Sequence, residues 1–234
     1  MSSIRVDSKA DISGILLWDI DGTLVRAEEK TKSSIHVEAL GLNQRVEIED
    51  LPGFSDWEVL VFYAKKYNLE AGLLKDAFQK LEHAEFSLSS KQKYSPLLGA
   101  EKILSMTSEI GWINGILTGN TVPRAFKKLE GSGLVDLISR DFIFACRLSE
   151  ERIDIANRAV KATNVFCRPV VIIGDSHRDV LVAKALNLKS VTVLTGLQKK
   201  DYLLTFSPDL LIEDLHLGSQ ALISFLEKNK KLMT

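Results

Sequence analysis

One stretch near the start of the chain constrains the fold more than any other. Residues 14–23 read GILLWDIDGT, an apolar run of strand length that ends in two carboxylates spaced i, i+2 and then Gly-Thr. The pattern predicts a strand that delivers Asp19 and Asp21 to the rim of a sheet as the chain turns away. An ordinary Asp-Gly turn would also account for this sequence. Two buried carboxylates this close repel each other, however, and a fold retains them only with a cation or a shared proton to offset the repulsion.

The rest of the chain predicts strands that alternate with helices. The run Val-Val-Ile-Ile at 170–173 is apolar throughout, which is typical of a strand buried on both faces in a parallel sheet. We therefore expect an α/β fold with a doubly wound, Rossmann-like parallel sheet. Further strands are predicted at 112–117, 142–145, 190–194 and 209–212, and helices at 98–109, 152–163 and 216–228.

Residues 24–93 differ from this alternation, because their apolar spacing is helical and predicts no strand. Ser55 or Asp56 would begin one of these helices. His36 and His83 lie in predicted helices without metal-ligand spacing, and we expect both on the surface. A helical block between two sheet strands indicates an inserted all-helical cap over the ligand edge of the sheet. The expected division is a core of 14–23 and 94–234 with a cap of 24–93.

Polar residues end three of the predicted strands, and parallel neighbours would bring them to one edge. A phosphoryl-transfer site needs a nucleophile, an acid/base, donors for the phosphoryl oxygens and positive charge. Thr118-Gly119, beside a helix N-terminus, is suited to bind an anion. Asp19 with Asp175 could hold Mg²⁺, which accepts few carboxylates and keeps waters. The polar residues are Asp19, Asp21, Thr118, Asn120, Asp175 and Asp179.

Charge and cysteine content exclude several other classes of function. The 30 Lys and Arg residues nearly balance the 31 Asp and Glu residues, which disfavours a nucleic-acid or polybasic membrane partner. Cys146 and Cys167 lack zinc spacing and predict small buried thiols. The chain has no membrane-length apolar run and no secretory h-region, so we expect a cytoplasmic protein.

The three polar strand ends resemble motifs of the haloacid dehalogenase superfamily of phosphohydrolases. Residues 19–23 (DIDGT) are similar to its first motif, 118–120 (TGN) to its second and 174–179 (GDSHRD) to its fourth. The likeness covers residues 14–215, and the cap resembles that of phosphoglycolate phosphatase-like members. The resemblance implies that Asp19 is a nucleophile that forms an aspartyl-phosphate and that Asp21 is the acid/base.

The resemblance also implies how phosphate and metal would be held. Thr118, Gly119 and Asn120 would bind the phosphoryl group. Magnesium would lie between Asp19, the backbone carbonyl of Asp21 and Asp175, and Asp179 would be a ligand or a support.

The third motif departs from the family pattern, which places a lysine, often before proline, between the second and fourth motifs. Residues 146–154 read CRLSEERID. Some relatives carry an arginine near this point, and Arg152 is the first candidate, with Arg147 the second. A guanidinium can clamp phosphate with two hydrogen bonds. The alternative is a pair of surface arginines beside Glu150 and Glu151, which would leave a catalytically weak protein.

These observations predict a Mg²⁺-dependent phosphatase acting on a small phosphorylated metabolite. Two alternatives remain open: a phosphosugar mutase, and a catalytically weak binding or regulatory protein with the same fold. The family resemblance places substrate selection in the loop 53–56, where related mutases tend to carry an arginine, so Asp56 disfavours a mutase. True dehalogenases usually lack the second acid of the first motif, so Asp21 favours phosphate over halide.

Overall fold

Six parallel strands form the central sheet of the protein, in the order β5-β4-β1-β6-β7-β8. The computed structural model describes residues 12–27, 34–42, 47, 49–88, 94–163 and 167–230. Two further strands, β2 and β3, pair with each other in an antiparallel ribbon. The strands are β1 (Gly14–Trp18), β2 (Val25–Ala27), β3 (Tyr94–Pro96), β4 (Trp112–Thr121), β5 (Ile143–Cys146), β6 (Val170–Gly174), β7 (Lys189–Val193) and β8 (Leu210–Ile212).

Helices lie on both faces of this sheet, as the doubly wound prediction requires. In the described part of the chain, no helix is long and apolar enough to cross a membrane. The cytoplasmic location expected from the sequence stays a prediction. The helices are α1 (Ser34–Ala39), α2 (Asp56–Lys66), α3 (Leu73–Leu88), α4 (Ala100–Glu109), α5 (Val122–Gly131), α6 (Arg152–Thr163), α7 (His177–Ala185), α8 (Lys200–Thr205) and α9 (Ser219–Asn229).

Strand β1 divides the core into two layers because alternate side chains of a strand point to opposite faces. Leu16 and Trp18 pack in one layer with residues of α4, α5 and α9, whereas Ile15 and Leu17 pack in the other with residues of α6 and α7. All five residues of β1 are buried. An uninterrupted apolar strand is therefore the sequence expected for the centre of a sheet with both faces covered.

The position of β1 between β4 and β6 brings the polar strand ends together. Trp18 pairs in register with Ile116 of β4 on one side and with Ile173 of β6 on the other. The residues that follow these positions on all three strands consequently emerge at the same edge. This confirms the expectation that the three strands are parallel neighbours.

The described part of the segment between β2 and β3 contains α1, α2 and α3, which pack against one another and extend the second core layer. The expectation of no strand in 24–93 is wrong at Val25–Ala27, which pairs with Tyr94–Pro96. Three residues are too few to show a two-residue period, and their partner strand lies beyond the helices. Residues 28–33, 43–46, 48 and 89–93 of the expected cap lie outside the described part of the chain.

Smaller differences also have physical reasons. Helix α4 begins at Ala100 and not at Leu98, because Gly99 takes a left-handed conformation as the N-cap, with φ 87°. Strand β4 continues to Thr121 and so includes the second polar motif. Cys146 is buried as expected, whereas Cys167 is exposed, contrary to expectation.

Candidate active site

The two acids of the first motif follow β1 and lie in different environments. Asp19 is buried, and its backbone N–H donates to the carbonyl of Ile173 on β6 at 2.8 Å. The side chain of Asp21 is half exposed. The chain turns at Gly22, whose φ of 74° favours glycine and where a Cβ would meet the Asp175 carboxylate. The Asp-Gly step thus turns the chain and also leaves room for a third acid.

Arg152, the first residue of α6, reaches into this group of acids. Its Nη2 donates to Asp19 Oδ1 at 3.0 Å and to Asp179 Oδ1 at 2.5 Å, and its side chain is almost completely buried. Arg147 is exposed, and in the described contacts its backbone N–H donates to the carboxylate of Glu150. Of the two arginines considered from the sequence, Arg152 is the one that the described contacts bring to the acids.

Burial changes the ionisation of Asp19 and Asp175. Loss of hydration raises the pKa of Asp19 to about 7; the Arg152 charge opposes this rise, and the charges of Asp179 and Asp21 add to it. Burial also raises the pKa of Asp175 well above its ordinary value, with further increases from Asp19 and Asp179. An additional cation bound beside these carboxylates would stabilise their ionised forms.

The carboxylates of the fourth motif have different surroundings. Asp175 lies against Gly22 and Gly196, and a Cβ at either glycine would collide with its Oδ2. Asp179 Oδ2 accepts from the backbone N–H and the hydroxyl of Ser176, at 3.1 and 2.6 Å, and so forms the capping box that begins α7. Since Asp179 also accepts from Arg152, its contacts with protein donors favour support over direct metal binding.

The second motif lies beside Asp21. Asn120 Nδ2 donates to Asp21 Oδ2 at 2.7 Å and to Thr118 Oγ1 at 2.8 Å. A Cβ at Gly119 would collide with the backbone carbonyl of Phe54 and lie 2.8 Å from the Cα of Ser55. Gly119 therefore lets the loop before α2 approach the strand end closely. The structure thus brings Asn120, and through it Thr118, together with Asp21 of the first motif.

Lys128 belongs to the same cluster and was missed from the sequence. Its Nζ donates to both carboxylate oxygens of Asp21, at 2.8 and 2.7 Å, and to Asn120 Oδ1 at 2.6 Å. Burial alone would raise the pKa of Asp21, but the Lys128 ammonium and the Asn120 amide lower it overall. One signal was available: Lys128 lies on the face of α5 that carries Ala125 and Leu129, and with Arg124 it places a second charge on that buried face.

The loop before α2 is tied to the core by buried polar contacts. Asp56 accepts from the backbone N–H of Thr121 at 2.7 Å and from Arg124 Nη1 at 2.9 Å, and it pairs with His36 at 2.9 Å. Burial would raise the pKa of Asp56, but Arg124 and His36 hold it at about 2. His36 is buried, contrary to the surface position expected for it, and burial lowers its pKa despite Asp56.

Glu58 forms a second connection between α2 and the core. Its Oε2 accepts from the backbone N–H groups of Ser55 and Arg152, at 2.9 and 3.1 Å, and its Oε1 accepts from Arg178 Nη1 at 2.5 Å. The Arg178 guanidinium also lies 3.8 Å from the centre of the Phe54 ring. Through these contacts α2 lies directly over the polar edge of the sheet.

The chemistry of this donor set fits a divalent cation. The four carboxylates of the first and fourth motifs face two cations, Arg152 and Lys128, so two negative charges lack a counter-charge from these cations. Among the described residues, no group of three or more His, Cys, Asp and Glu side chains forms a ready-made metal cage. Mg²⁺ does not require one, because it binds through one or two carboxylates and retains several waters.

Comparisons with known proteins show the family to which the chain belongs. The family model described as haloacid dehalogenase-like hydrolase matches residues 16–193. The chain is 22% identical over 207 residues to the pyrophosphatase PpaX of Oceanobacillus iheyensis, covering 86% of this chain and 92% of that protein.

Solved structures share the fold at lower identity. A hydrolase from Pseudomonas syringae is 18% identical, with a TM-score of 0.66, over 90% of this chain and 98% of its own. A protein described as a predicted phosphoglycolate phosphatase from Haemophilus somnus is 15% identical, with a TM-score of 0.66, over 91% of this chain and 98% of its own.

Proposed function

Since the chain belongs to the haloacid dehalogenase-like hydrolase family, we propose that it is a Mg²⁺-dependent phosphatase that hydrolyses a small phosphorylated metabolite through an aspartyl-phosphate on Asp19. The observation that carries the proposal is the meeting of Asp19, Asp21 and Arg152 at one edge of the sheet, beside Thr118 and Asp175. The chain would thus be a phosphoric monoester hydrolase.

The first step is phosphoryl transfer to Asp19. A carboxylate oxygen of Asp19 attacks phosphorus, an O–P bond forms, and the bond between phosphorus and the leaving oxygen breaks. Arg152, 3.0 Å from Asp19 Oδ1, fixes the direction of the carboxylate and supplies positive charge beside it. Asp21 gives a proton to the leaving oxygen. Covalent catalysis of this kind divides one difficult displacement into two easier ones.

The second step is hydrolysis of the aspartyl-phosphate. Water attacks phosphorus, Asp21 takes a proton from that water, and Asp19 leaves as a carboxylate. The half-exposed side chain of Asp21 supports this role, because it is accessible to water while Asn120 and Lys128 hold it. To act as the base, Asp21 must lie within hydrogen-bond distance of the reacting oxygen.

Phosphate and metal would use the neighbouring groups. The Thr118 hydroxyl, Gly119 and Asn120 would hold the phosphoryl oxygens. Asp19, the backbone carbonyl of Asp21 and Asp175 would hold Mg²⁺, and Asp179 would support Arg152 and the start of α7. When bound, Mg²⁺ would neutralise charge on the phosphoryl oxygens and carboxylates.

The helical segment would act as a cap domain of residues 24–93 on a core of 14–23 and 94–234. The antiparallel pair of β2 and β3 joins the two at both ends of the segment, and Asp56 and Glu58 tie α2 to the core. A cap in this position would close over the substrate and exclude water that could attack phosphorus in place of Asp19. Its loop 53–56 would limit the substrate to a small molecule.

Phosphate release from a panel of phosphorylated metabolites tests the proposal. The panel includes pyrophosphate and phosphoglycolate, after the names of the relatives, together with a phosphosugar. We expect release from at least one compound with Mg²⁺, loss of release with EDTA, and no turnover by Asp19→Asn. Asp76→Asn, an exposed acid on α3, is the matched control. An isomerised sugar phosphate without phosphate release would contradict a phosphatase and indicate a mutase.

A further inference from the structure

Lys128 is held in a way that leaves it no hydrogen bond to give a substrate. An ammonium has three N–H donors, and those of Lys128 are matched by three acceptors: both carboxylate oxygens of Asp21 and Oδ1 of Asn120. Asn120 in turn donates to Asp21 Oδ2 and to Thr118 Oγ1. Lys128 and Asn120 therefore both donate to the Asp21 carboxylate, and we call this pair the Lys128–Asn120 fork.

Lys128 lies on the buried face of α5 and is 6% exposed. It shares that face with Ala125, Leu129 and Arg124, and the Arg124 guanidinium donates to Asp56. Burying an ammonium costs free energy, and replacing a buried ion pair with apolar groups is often neutral or stabilising. The partner, Asp21, is half exposed at the edge where the strand ends meet. In the described contacts, the Lys128 ammonium thus serves to hold Asp21 and its neighbour Asn120.

We propose that Lys128 is a positioning residue for the second step: with Asn120 it holds the Asp21 carboxylate in the direction from which Asp21 takes a proton from the attacking water. The proposal rests on the proposed function, because it assumes an aspartyl-phosphate on Asp19. In that step the water oxygen bonds to phosphorus, the bond from phosphorus to Asp19 breaks, the water proton passes to Asp21, and phosphate leaves. Lys128 touches neither the phosphate nor the water and acts through Asp21.

The kinetics of Lys128→Met with p-nitrophenyl phosphate distinguish a role of Lys128 in the second step from a role in the first. Nitrophenolate leaves without a proton, so the first step does not need Asp21 as an acid. We expect kcat to fall by about 10²-fold, the usual contribution of a positioned acid/base. The value of kcat/KM, which reports steps up to phosphoenzyme formation, should stay near the wild-type value, so KM falls with kcat. Rapid mixing should show a burst of nitrophenolate equal to the enzyme concentration.

Control variants separate positioning from folding. Lys128→Arg keeps a cation that can donate to Asp21 and should recover part of kcat. Lys102→Met, an exposed lysine on α4, should leave both kinetic constants unchanged. Lys128→Met should keep a single cooperative thermal transition, because Asp21, the acid from which it removes the ammonium, is half exposed and can be hydrated. Equal losses in kcat and kcat/KM without a burst would overturn the proposal.

A readout independent of activity keeps the proposal testable if the wild type hydrolyses nothing. The ¹⁵N–¹H resonances of the Asn120 side-chain amide, assigned by their loss in Asn120→Ala, should shift in Lys128→Met and stay in place in Lys102→Met. An unmoved resonance in Lys128→Met would overturn the Lys128–Asn120 fork. Inactivity of the wild type toward every phosphoester would instead contradict the proposed function, and the amide shift would still decide whether the fork forms.

Discussion

At the scale of single residues, the site is governed by how buried charges are compensated. Arg152 donates to Asp19 and Asp179 from a position with almost no solvent contact. Removing one partner of a buried charge pair costs much more than the pair contributes, since the remaining charge has neither water nor a counter-ion. We therefore expect substitution of Arg152 to have a larger effect than substitution of a surface arginine next to glutamates.

Replacing Arg152 should impair the proposed first step. We predict that Arg152→Met lowers kcat/KM by about 10²- to 10³-fold, the usual effect of removing one donor from the site of developing charge. Arg152→Lys should recover only part of the loss, because an ammonium is a compact point charge with different reach and geometry. Initial rates of phosphate release measure both. Arg147→Met is the control from the same segment, and an equal loss in that variant would contradict the assignment.

The residues predicted from the sequence and the residue that was missed differ in where their partners lie. Asp19, Thr118 and Asp175 were predicted because each follows an apolar run typical of a strand, and the parallel order of strands determines that such ends meet. Lys128 pairs with an acid that is remote in the chain, and no local period encodes a contact between a helix face and a strand end. Its local signal is a charge on the helix face that carries Ala125 and Leu129.

At the scale of elements, Asp56 connects α2 with three other elements. It is the first residue of α2, accepts from the backbone N–H at the end of β4, and pairs with Arg124 on α5 and with His36 on α1. Ser55 begins α2 as its N-cap, with Glu58 completing the capping box, as one of the two predicted starts allowed. The start of α2 is consequently set by both a local cap and a long-range charge pair.

The Asp56 contacts predict a pH-dependent contribution to stability. The pKa of Asp56 is about 2 in the folded protein against a reference of 3.8, so its stabilising effect is complete above the reference value and is lost as pH falls through the folded value. The shift corresponds to about 2 kcal/mol. Asp56→Asn should lower the free energy of unfolding by at least about this amount at pH 7, as measured by urea denaturation.

The comparison across pH distinguishes this charge pair from a packing effect. The difference between wild type and Asp56→Asn should narrow as the pH is lowered from about 5 toward the folded pKa, because the wild type then protonates Asp56 as well. Asp76→Asn, exposed on α3, should stay close to wild type throughout. A difference that is the same at every pH would show that the loss comes from something other than the charge of Asp56.

Strongly periodic elements were predictable, whereas short ones were not. Helix α6 has the predicted bounds, Arg152–Thr163, and β6 extends the predicted run by one residue to Gly174. Strand β2 and helix α8 were not predicted, because three and six residues respectively are too few to show a period. In both cases the element is stabilised by its tertiary context more than by its own sequence.

At the scale of the whole molecule, the sheet order and the inserted helices produce the site together. β1 lies between β4 and β6, so residues far apart in the chain share one edge of the sheet. The segment between β2 and β3 contacts that edge through Phe54, Ser55 and Glu58. The doubly wound sheet was predictable from alternating elements. The identity of the substrate was not, because it depends on side chains that converge from several elements.

The most direct test of the account is whether phosphate becomes covalently attached to Asp19. Protein mixed with p-nitrophenyl phosphate and Mg²⁺ is quenched in acid within the first turnover, and the peptide that contains Asp19 is analysed by mass spectrometry. The account predicts a phosphoryl group on Asp19 in the wild type, a larger modified fraction in Lys128→Met, and none in Asp19→Asn. Phosphate release with no modified peptide at any quench time, or with modification at another residue, would contradict it.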